Sequence, residues 1–205
     1  MTDFGGSSLA WCRTGDHLVF LDLASDRYFR LPREWERRCL IRLAEGDAAS
    51  WHQPDILPRP EDWSPARAAS PARETGDFRL NAVARALWVQ RRIERRISSG
   101  AFLPVLKDLR SARTRCEAPN EELSEAGRVM VRAFEQARLL RSAADRCLAR
   151  SIALAGCLTA DHDACHVVLG VTSLPFSAHC WAQKGEVVLN DSFEEVQRYT
   201  PILVV

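Results

Sequence analysis

The sequence predicts an α+β protein in which helices pack on an antiparallel sheet, with a small β-meander module in front. Three observations indicate this class. Short apolar runs alternate with turn residues near the start, amphipathic helical patterns fill the middle, and β-rich runs follow the most apolar helix. The length of 205 residues fits one domain of roughly 150 residues with a small additional module.

The N-terminal part of the chain predicts a unit of three strands and one helix. Residues 8–31 contain three short apolar runs separated by turn residues, which is typical of a meander. Pro32 suits the first turn of a helix, and apolar residues recur at helical spacing from Trp35 until Gly46 ends the pattern. We therefore expect a separate module over residues 1–50.

The segment 51–75 is the predicted linker. It contains five prolines among alanine, arginine and serine residues, and proline favours extended or irregular backbone. We expect it to connect the first module to a larger domain over residues 76–205.

Three helices are predicted in the first part of the larger domain. Residues 81–97 place apolar side chains on one face and pairs of arginines on the other. Residues 102–109 predict a second, short helix. Residues 121–140 predict a third, with glutamates in the first turns and arginines near the end, as the helix dipole favours.

A buried helix and three strands complete this domain. Residues 147–158 are apolar enough for a helix that is buried on all sides. The β-rich runs 166–171, 178–183 and 186–189 predict strands, and a Lys-Gly pair predicts a hairpin turn between the last two. These elements give a helix packed on an antiparallel sheet.

Charge and composition exclude several classes of function. The chain has 28 basic and 27 acidic residues, so no overall field favours nucleic acid or an anionic membrane. It has no apolar run long enough to span a membrane, and residues 1–10 lack the features of a secretory signal. Seven scattered cysteines, an odd number, indicate free thiols. We therefore expect a cytoplasmic protein that binds neither nucleic acid nor membrane.

Three residues have the types and predicted positions of a nucleophile, a base and an orienting group. Cys147 opens the buried helix, where the positive end of the helix dipole lowers the pKa of a thiol. His179 and Asp191 lie at similar distances on either side of the hairpin turn, so the carboxylate can face the imidazole. Taken singly, they also fit a packed thiol, a structural histidine and a turn aspartate. The joint pattern favours nucleophilic chemistry.

A metal site is the competing interpretation. Cys157, His162, Cys165 and His166 are four potential zinc ligands within ten residues. Their spacing matches no familiar zinc pattern, and Cys165 and His166 would point to opposite faces of a strand. The sequence also lacks a phosphate-binding glycine loop and a G-x-S-x-G motif. We therefore predict neither a metal nor a cofactor.

Several runs carry a resemblance to a known family. They are D-R-C-L-A-R-S at 145–151, H-V-V-L-G-V at 166–171, P-F-S-A-H-C-W at 175–181 and V-L-N-D at 188–191. Together they resemble the transglutaminase-like leader peptidases of lasso-peptide biosynthesis, called B proteins. The first module, with D-R-Y-F-R-L-P at 26–32, is similar to the winged-helix-like precursor-recognition element fused to some of these peptidases.

The resemblance implies a transglutaminase-like, papain-like cysteine peptidase domain that removes the leader from a ribosomally made precursor peptide. Cys147 would be the nucleophile, His179 the general acid and base, and Asp191 the residue that holds the imidazole. The implied partners are the precursor peptide and an ATP-dependent macrolactam synthetase, similar to asparagine synthetase, that closes the ring.

The same resemblance implies that the leader adds a strand to an edge of the first module. Tyr28, Phe29 and Trp35 are the aromatic residues expected to contact it, although they also fit the core of a small module. Two other functions stay open. One is transglutaminase-like acyl transfer to an amine, and the other is a non-catalytic scaffold that delivers the precursor to the synthetase.

Overall fold

The N-terminal part of the described chain forms a four-stranded antiparallel sheet with a helix beside it. The computed structural model describes residues 8–45, 51–116, 122–140 and 146–205. The elements of this first unit are β1 (Leu9–Thr14), β2 (His17–Asp22), β3 (Arg27–Phe29), α1 (Arg33–Glu45) and β4 (Trp51–His52). The strand order is β3-β2-β1-β4, so β3 lies at an edge of the sheet. The predicted meander and helix are confirmed, and Gly46 lies outside the described residues.

The segment 51–75, which the sequence predicts as a linker, is built into both sheets of the protein. Its first residues form β4, and β5 (Ala68–Ala69) pairs in parallel with β8 (Val187–Val188) of the second sheet. Between them, the Gln53 amide donates to the carbonyl of Val204 and accepts from its N–H. The segment connects the two parts of the chain while tertiary hydrogen bonds hold it to both sheets.

Four helices lie on one side of the second sheet, with the last of them packed on the sheet and the other three packed on that helix. They are α2 (Leu80–Ser98), α3 (Phe102–Thr114), α4 (Glu125–Leu140) and α5 (Cys147–Ala160), preceded by a single 3₁₀ turn at Pro71–Arg73. The predicted helices are present, and α3 continues five residues beyond its expected end. Glu121, the expected start of the third helix, lies outside the described residues.

The second sheet has five strands in the order β5-β8-β7-β6-β9. Its remaining elements are β6 (His166–Ser173), β7 (Phe176–Lys184), β9 (Thr200–Val204) and the short helix α6 (Phe193–Val196) before β9. A hairpin joins β7 and β8 as predicted, but its turn is formed by Gly185 and Glu186, one residue later than expected, because Lys184 still pairs with Val187. The sequence analysis missed β9, an edge strand in which Pro201 stands opposite Gly170, a pairing that proline tolerates at a sheet edge.

One continuous apolar core joins the two sheets. Leu154 and Leu158 of α5 are fully buried in it, and so are Cys12 and Leu21 on one face of the first sheet. The first sheet therefore packs directly on the larger domain. No helix in the described ranges is long and apolar enough to cross a membrane.

A buried ion pair fixes the start of α4 to the second sheet. The Nζ of Lys184 lies 2.8 Å from Asp163 Oδ1, and both side chains are almost fully buried. The backbone N–H of Ser124 also donates to the Asp163 carboxylate. The α carbon of Gly127 lies so close that an added Cβ would fall on this carboxylate. Glycine is therefore required there by packing.

We predict that Gly127→Ala lowers the free energy of unfolding by roughly 1–3 kcal/mol, because the methyl group displaces a buried, paired carboxylate. Gly156→Ala is the matched control, since Gly156 is a helical glycine with no neighbouring atom near its Cβ position. That change should stabilise the protein by about 0.5–1 kcal/mol. Urea unfolding of both variants checks the opposite signs, and equal effects would contradict the packing argument.

Candidate functional site

Cys147 is the first residue of α5, and its thiol faces strand β7. The thiol accepts hydrogen bonds from the backbone N–H groups of Leu148 and Cys180 and is hydrogen-bonded to the imidazole of His179. The first N–H groups of a helix lack partners within the helix, so they are available to a negative sulfur. The start of α5 thus provides a polar setting for a thiolate.

His179 joins this thiol to Asp191. Its Nε2 lies 2.8 Å from Asp191 Oδ2, and because an ionised carboxylate only accepts hydrogen bonds, Nε2 carries the proton. Nδ1 is then the ring nitrogen that faces Cys147. Asp191 follows β8, and its Oδ1 accepts a hydrogen bond from the backbone N–H of Ser192. The structure brings together all three residues that the sequence singled out.

The three groups shift one another's pKa values in a consistent direction. Burial raises the pKa of the Cys147 thiol, but the hydrogen bond and charge of His179 outweigh burial and hold it below 9.0. Burial lowers the pKa of His179, yet its bonds to Asp191 and Cys147 raise it to about 9. Burial raises the pKa of Asp191, and the His179 bond reverses this. Each interaction thus favours the ionised form of its partner, which is the direction of change that activates a thiol as a nucleophile.

Two aromatic rings hold the imidazole between them. The ring centre of His179 lies 4.9 Å from that of Tyr199 and 6.3 Å from that of Trp181. Gly170 stands directly opposite His179 on β6, and a Cβ there would lie 2.8 Å from atoms of both aromatic side chains. Because Gly170 has no side chain, both aromatic rings can lie next to the imidazole of His179.

A buried polar framework lies behind the reactive groups. The amide of Asn190 donates to Ser151 Oγ at 2.9 Å, and Ser151 Oγ donates to the carbonyl of Cys180 at 2.9 Å. The same amide accepts from the backbone N–H of Ala182. These bonds tie α5 to β7 and to the loop that carries Asp191. The sequence analysis missed this framework, and the only signal was two polar residues in otherwise apolar runs.

A comparison with protein families identifies the larger domain. The family model described as Transglutaminase-like superfamily matches residues 82–204, more than half of the chain. The chain belongs to the transglutaminase-like superfamily. Members typically use a catalytic cysteine, and the matched range contains Cys147, His179 and Asp191. Comparisons with curated proteins and with solved structures gave no significant match.

The three aromatic residues that were expected to contact the leader differ in their exposure to solvent. Phe29 and Trp35 are 42% and 55% exposed. Tyr28 is only half-buried, but its ring packs on Phe176 of β7 at 5.6 Å. Burial raises the pKa of the Tyr28 phenol, and the nearby thiols of Cys180 and Cys147 raise it further, which shows that Tyr28 lies close to the site. The first two residues are therefore the more accessible ones.

The candidate zinc ligands are dispersed. Cys157 and Cys165 are packed in the core, and His166 points instead to Asp62, with Nε2 at 3.3 Å from Oδ1. Burial lowers the pKa of His166 to about 4. Within the part of the chain that the structure describes, no group of three His, Cys, Asp or Glu side chains could hold a metal ion. His162 lies in the turn after α5.

We predict that His179→Ala moves the alkylation of Cys147 to higher pH. Without the imidazole, the effect of burial is opposed by the backbone N–H groups of Leu148 and Cys180 alone, so the thiol pKa rises. Each unit of pKa shift lowers the thiolate fraction at neutral pH about tenfold, so iodoacetamide should react more slowly with Cys147 in the variant at neutral pH. Peptide mass spectrometry of Cys147 over a pH series measures this.

Cys39 supplies the internal control in the same samples. It is a half-buried thiol on α1, and its pKa is raised mainly by burial. Its alkylation should not change in the variant. A Cys147 profile that stays at the wild-type pH after loss of His179 would show that the imidazole does not activate the thiol.

Proposed function

We propose that this protein is a cysteine peptidase that removes the leader from a lasso-peptide precursor. The hydrogen-bonded series of Cys147, His179 and Asp191 at the start of a buried helix carries the proposal. Membership of a superfamily that typically uses a catalytic cysteine supports the chemistry. The resemblance of the motifs around these residues to B proteins, and the edge strand of the first sheet, support the choice of substrate.

The proposed reaction runs through a thioester. The thiolate of Cys147 attacks the carbonyl carbon of the scissile peptide bond, and the backbone N–H of Cys147 at the helix start stabilises the oxyanion. The imidazolium of His179 gives its proton to the leaving amine, which is the N-terminus of the core peptide. His179 then takes a proton from the water that hydrolyses the thioester. Asp191 orients the ring in both steps.

The proposed docking site for the leader is the edge strand β3. A peptide that adds a strand there gains backbone hydrogen bonds, and the exposed rings of Phe29 and Trp35 offer apolar contacts. Tyr28 of β3 packs on Phe176, which lies three residues before His179 on β7. A leader bound along β3 is therefore held close to the reactive thiol.

This proposal assigns a task to each part of the chain. Residues 1–50 recognise the leader, residues 76–205 form the peptidase domain, and residues 51–75 join the two. The product would pass to an asparagine-synthetase-like macrolactam synthetase, in the cytoplasm. We propose no nucleic-acid or membrane partner, because the near-neutral charge of the chain gives no overall field that would attract either.

The decisive experiment follows the mass of the precursor peptide encoded nearest to the gene. We expect the purified protein to release a leader fragment, and the Cys147→Ala variant to release none. Cys39→Ala is the matched control, because this thiol lies on α1, and it should keep full activity.

The same experiment separates the two alternatives. With a small primary amine present, an acyl transferase would release a leader that carries the amine, because thioester chemistry is common to both reactions. If the wild-type protein and the Cys147→Ala variant both bind the precursor and neither cuts it, with or without the synthetase, the chain is a scaffold and the peptidase proposal is wrong.

We also predict that Phe29→Ser and Trp35→Ser each raise the KM for the precursor by roughly tenfold, the loss expected for one apolar side-chain contact, and leave kcat unchanged. Ile41→Ser is the control, since Ile41 is similarly exposed on α1 but is not assigned to leader binding. Steady-state cleavage of the whole precursor gives both constants.

A short peptide that spans only the cleaved bond is a control for the assignment of Phe29 and Trp35 to leader binding. Its cleavage should not change in the two variants, because it lacks the leader segment that would bind β3. Deleting residues 1–50 is a poor substitute, because it removes part of the shared core. An unaltered KM for the precursor in both variants would refute leader docking on β3.

A further inference from the structure

Arg150 lies one turn after Cys147 on α5, and its side chain is only 11% exposed. Its Nη2 donates to the carbonyl oxygen of Asn190 at 3.1 Å and lies 3.7 Å from Asp191 Oδ2. That carboxylate oxygen is the one that accepts the proton of His179 Nε2. The guanidinium group therefore touches the loop and the atom that orient the imidazole.

We propose that Arg150 is a positioning residue, which holds the Asp191 carboxylate at the distance and angle that His179 requires. This inference rests on the proposed function, because it concerns the same site. Arg150 acts through Asp191 and does not contact the reacting atoms. No role was assigned to it from the sequence.

The geometry of the loop explains why a positioning residue is needed. Asp191 follows β8, a strand of only two residues, and its own backbone contact is a short-range bond to Ser192. Adjacent residues of the helix hold the loop residue that precedes Asp191: Arg150 donates to the backbone carbonyl of Asn190, and Ser151 accepts from its side-chain amide. One rigid helix therefore fixes both ends of the hydrogen-bonded series, since it also carries Cys147.

Several charged groups surround this contact and decide the sign of a pH effect. Arg150 is faced by Asp191 and Cys147, and from α4 by Glu135 and Arg138. Glu135 is also paired with Arg138 at 2.6 Å and with Arg73 at 3.7 Å. His179 is faced by Cys147 and Asp191, and the Cys147 thiol also by Cys180 and Tyr28.

Removing the arginine has two opposite consequences for the imidazolium. Loss of a nearby positive charge would by itself stabilise protonated His179 and thereby lower the pKa of the Cys147 thiol. It would also remove the direct attraction between Arg150 and the thiolate, which raises the thiol pKa wherever Asp191 lies and would therefore persist in an Asp191→Asn background. Displacement of Asp191 would destabilise protonated His179 and raise the thiol pKa. The positioning role predicts that the displacement of Asp191 has the largest effect.

The test measures the pH profile of Cys147 alkylation and the cleavage of precursor in Arg150→Met. We expect the alkylation midpoint to move to higher pH, and kcat to fall roughly 10- to 100-fold with little change in KM. Arg150→Lys keeps the charge and part of the reach, so it should lie between wild type and Arg150→Met. Arg150→Lys also carries the test if Arg150→Met fails to fold.

A double-mutant cycle separates positioning from general packing. If Arg150 acts through the carboxylate, adding Arg150→Met to Asp191→Asn should not lower kcat further, and should move the midpoint less than it does in the wild-type background. Arg85→Met is the matched control, because Arg85 pairs with Asp161 just beyond the other end of α5, and its midpoint should equal that of wild type.

Three results would overturn the positioning role: a midpoint that is unchanged in Arg150→Met, one that moves to lower pH, or effects of Arg150→Met that are as large in the Asp191→Asn background as in the wild-type one. A wild-type protein that cuts no precursor but shows the Arg150-dependent midpoint would refute the peptidase function alone. Alkylation does not depend on the substrate, so the two failures are distinguishable.

Discussion

The packing of α5 against β7 is the interaction on which the rest of the structure depends. Most side chains of this helix are buried, and a buried aliphatic side chain contributes about 1.5–3 kcal/mol. Ser151 adds a directional contact, because its hydroxyl group donates to a carbonyl oxygen of the strand. The helix therefore cannot slide along the sheet without breaking both kinds of contact. Cys147, as its first residue, takes its position from the core rather than from a loop.

The position of His179 also depends on buried packing between elements. His179 belongs to the longest strand pairing of the second sheet, in which β6 and β7 are paired over eight positions. This register sets Gly170 beside the imidazole and lets Trp181 and Tyr199 flank the ring. A shift of one residue would turn the ring to the opposite face of the sheet. The thiol and the imidazole are thus placed by two separate elements, and the buried contacts between these elements set their distance.

Local patterns account for what the sequence could predict. Helix α5 and the hairpin that turns at Gly185 follow from apolar periodicity and turn chemistry, and they bring Cys147, His179 and Asp191 into range. Strand β5 is a two-residue pairing with a partner distant in the chain, so no local pattern marks it, whereas β9 is an apolar run rich in β-branched residues that the sequence analysis overlooked. Arg150 and Asn190 escaped prediction for the same reason as β5, since their roles come from hydrogen bonds between separate elements.

The shared core also bears on how a peptide would reach the site. Because Leu21 of the first sheet and Leu154 of α5 belong to one apolar cluster, the edge strand β3 is held in place before any ligand arrives. On the proposed function, the leader would order only itself on binding, while two domains on a flexible linker would also have to become ordered. The two hydrogen bonds between Gln53 and Val204 have the same effect, because they hold the connecting segment against the second sheet. On that proposal, the recognition and cleavage sites would be held at a fixed separation by the same buried contacts that stabilise the fold.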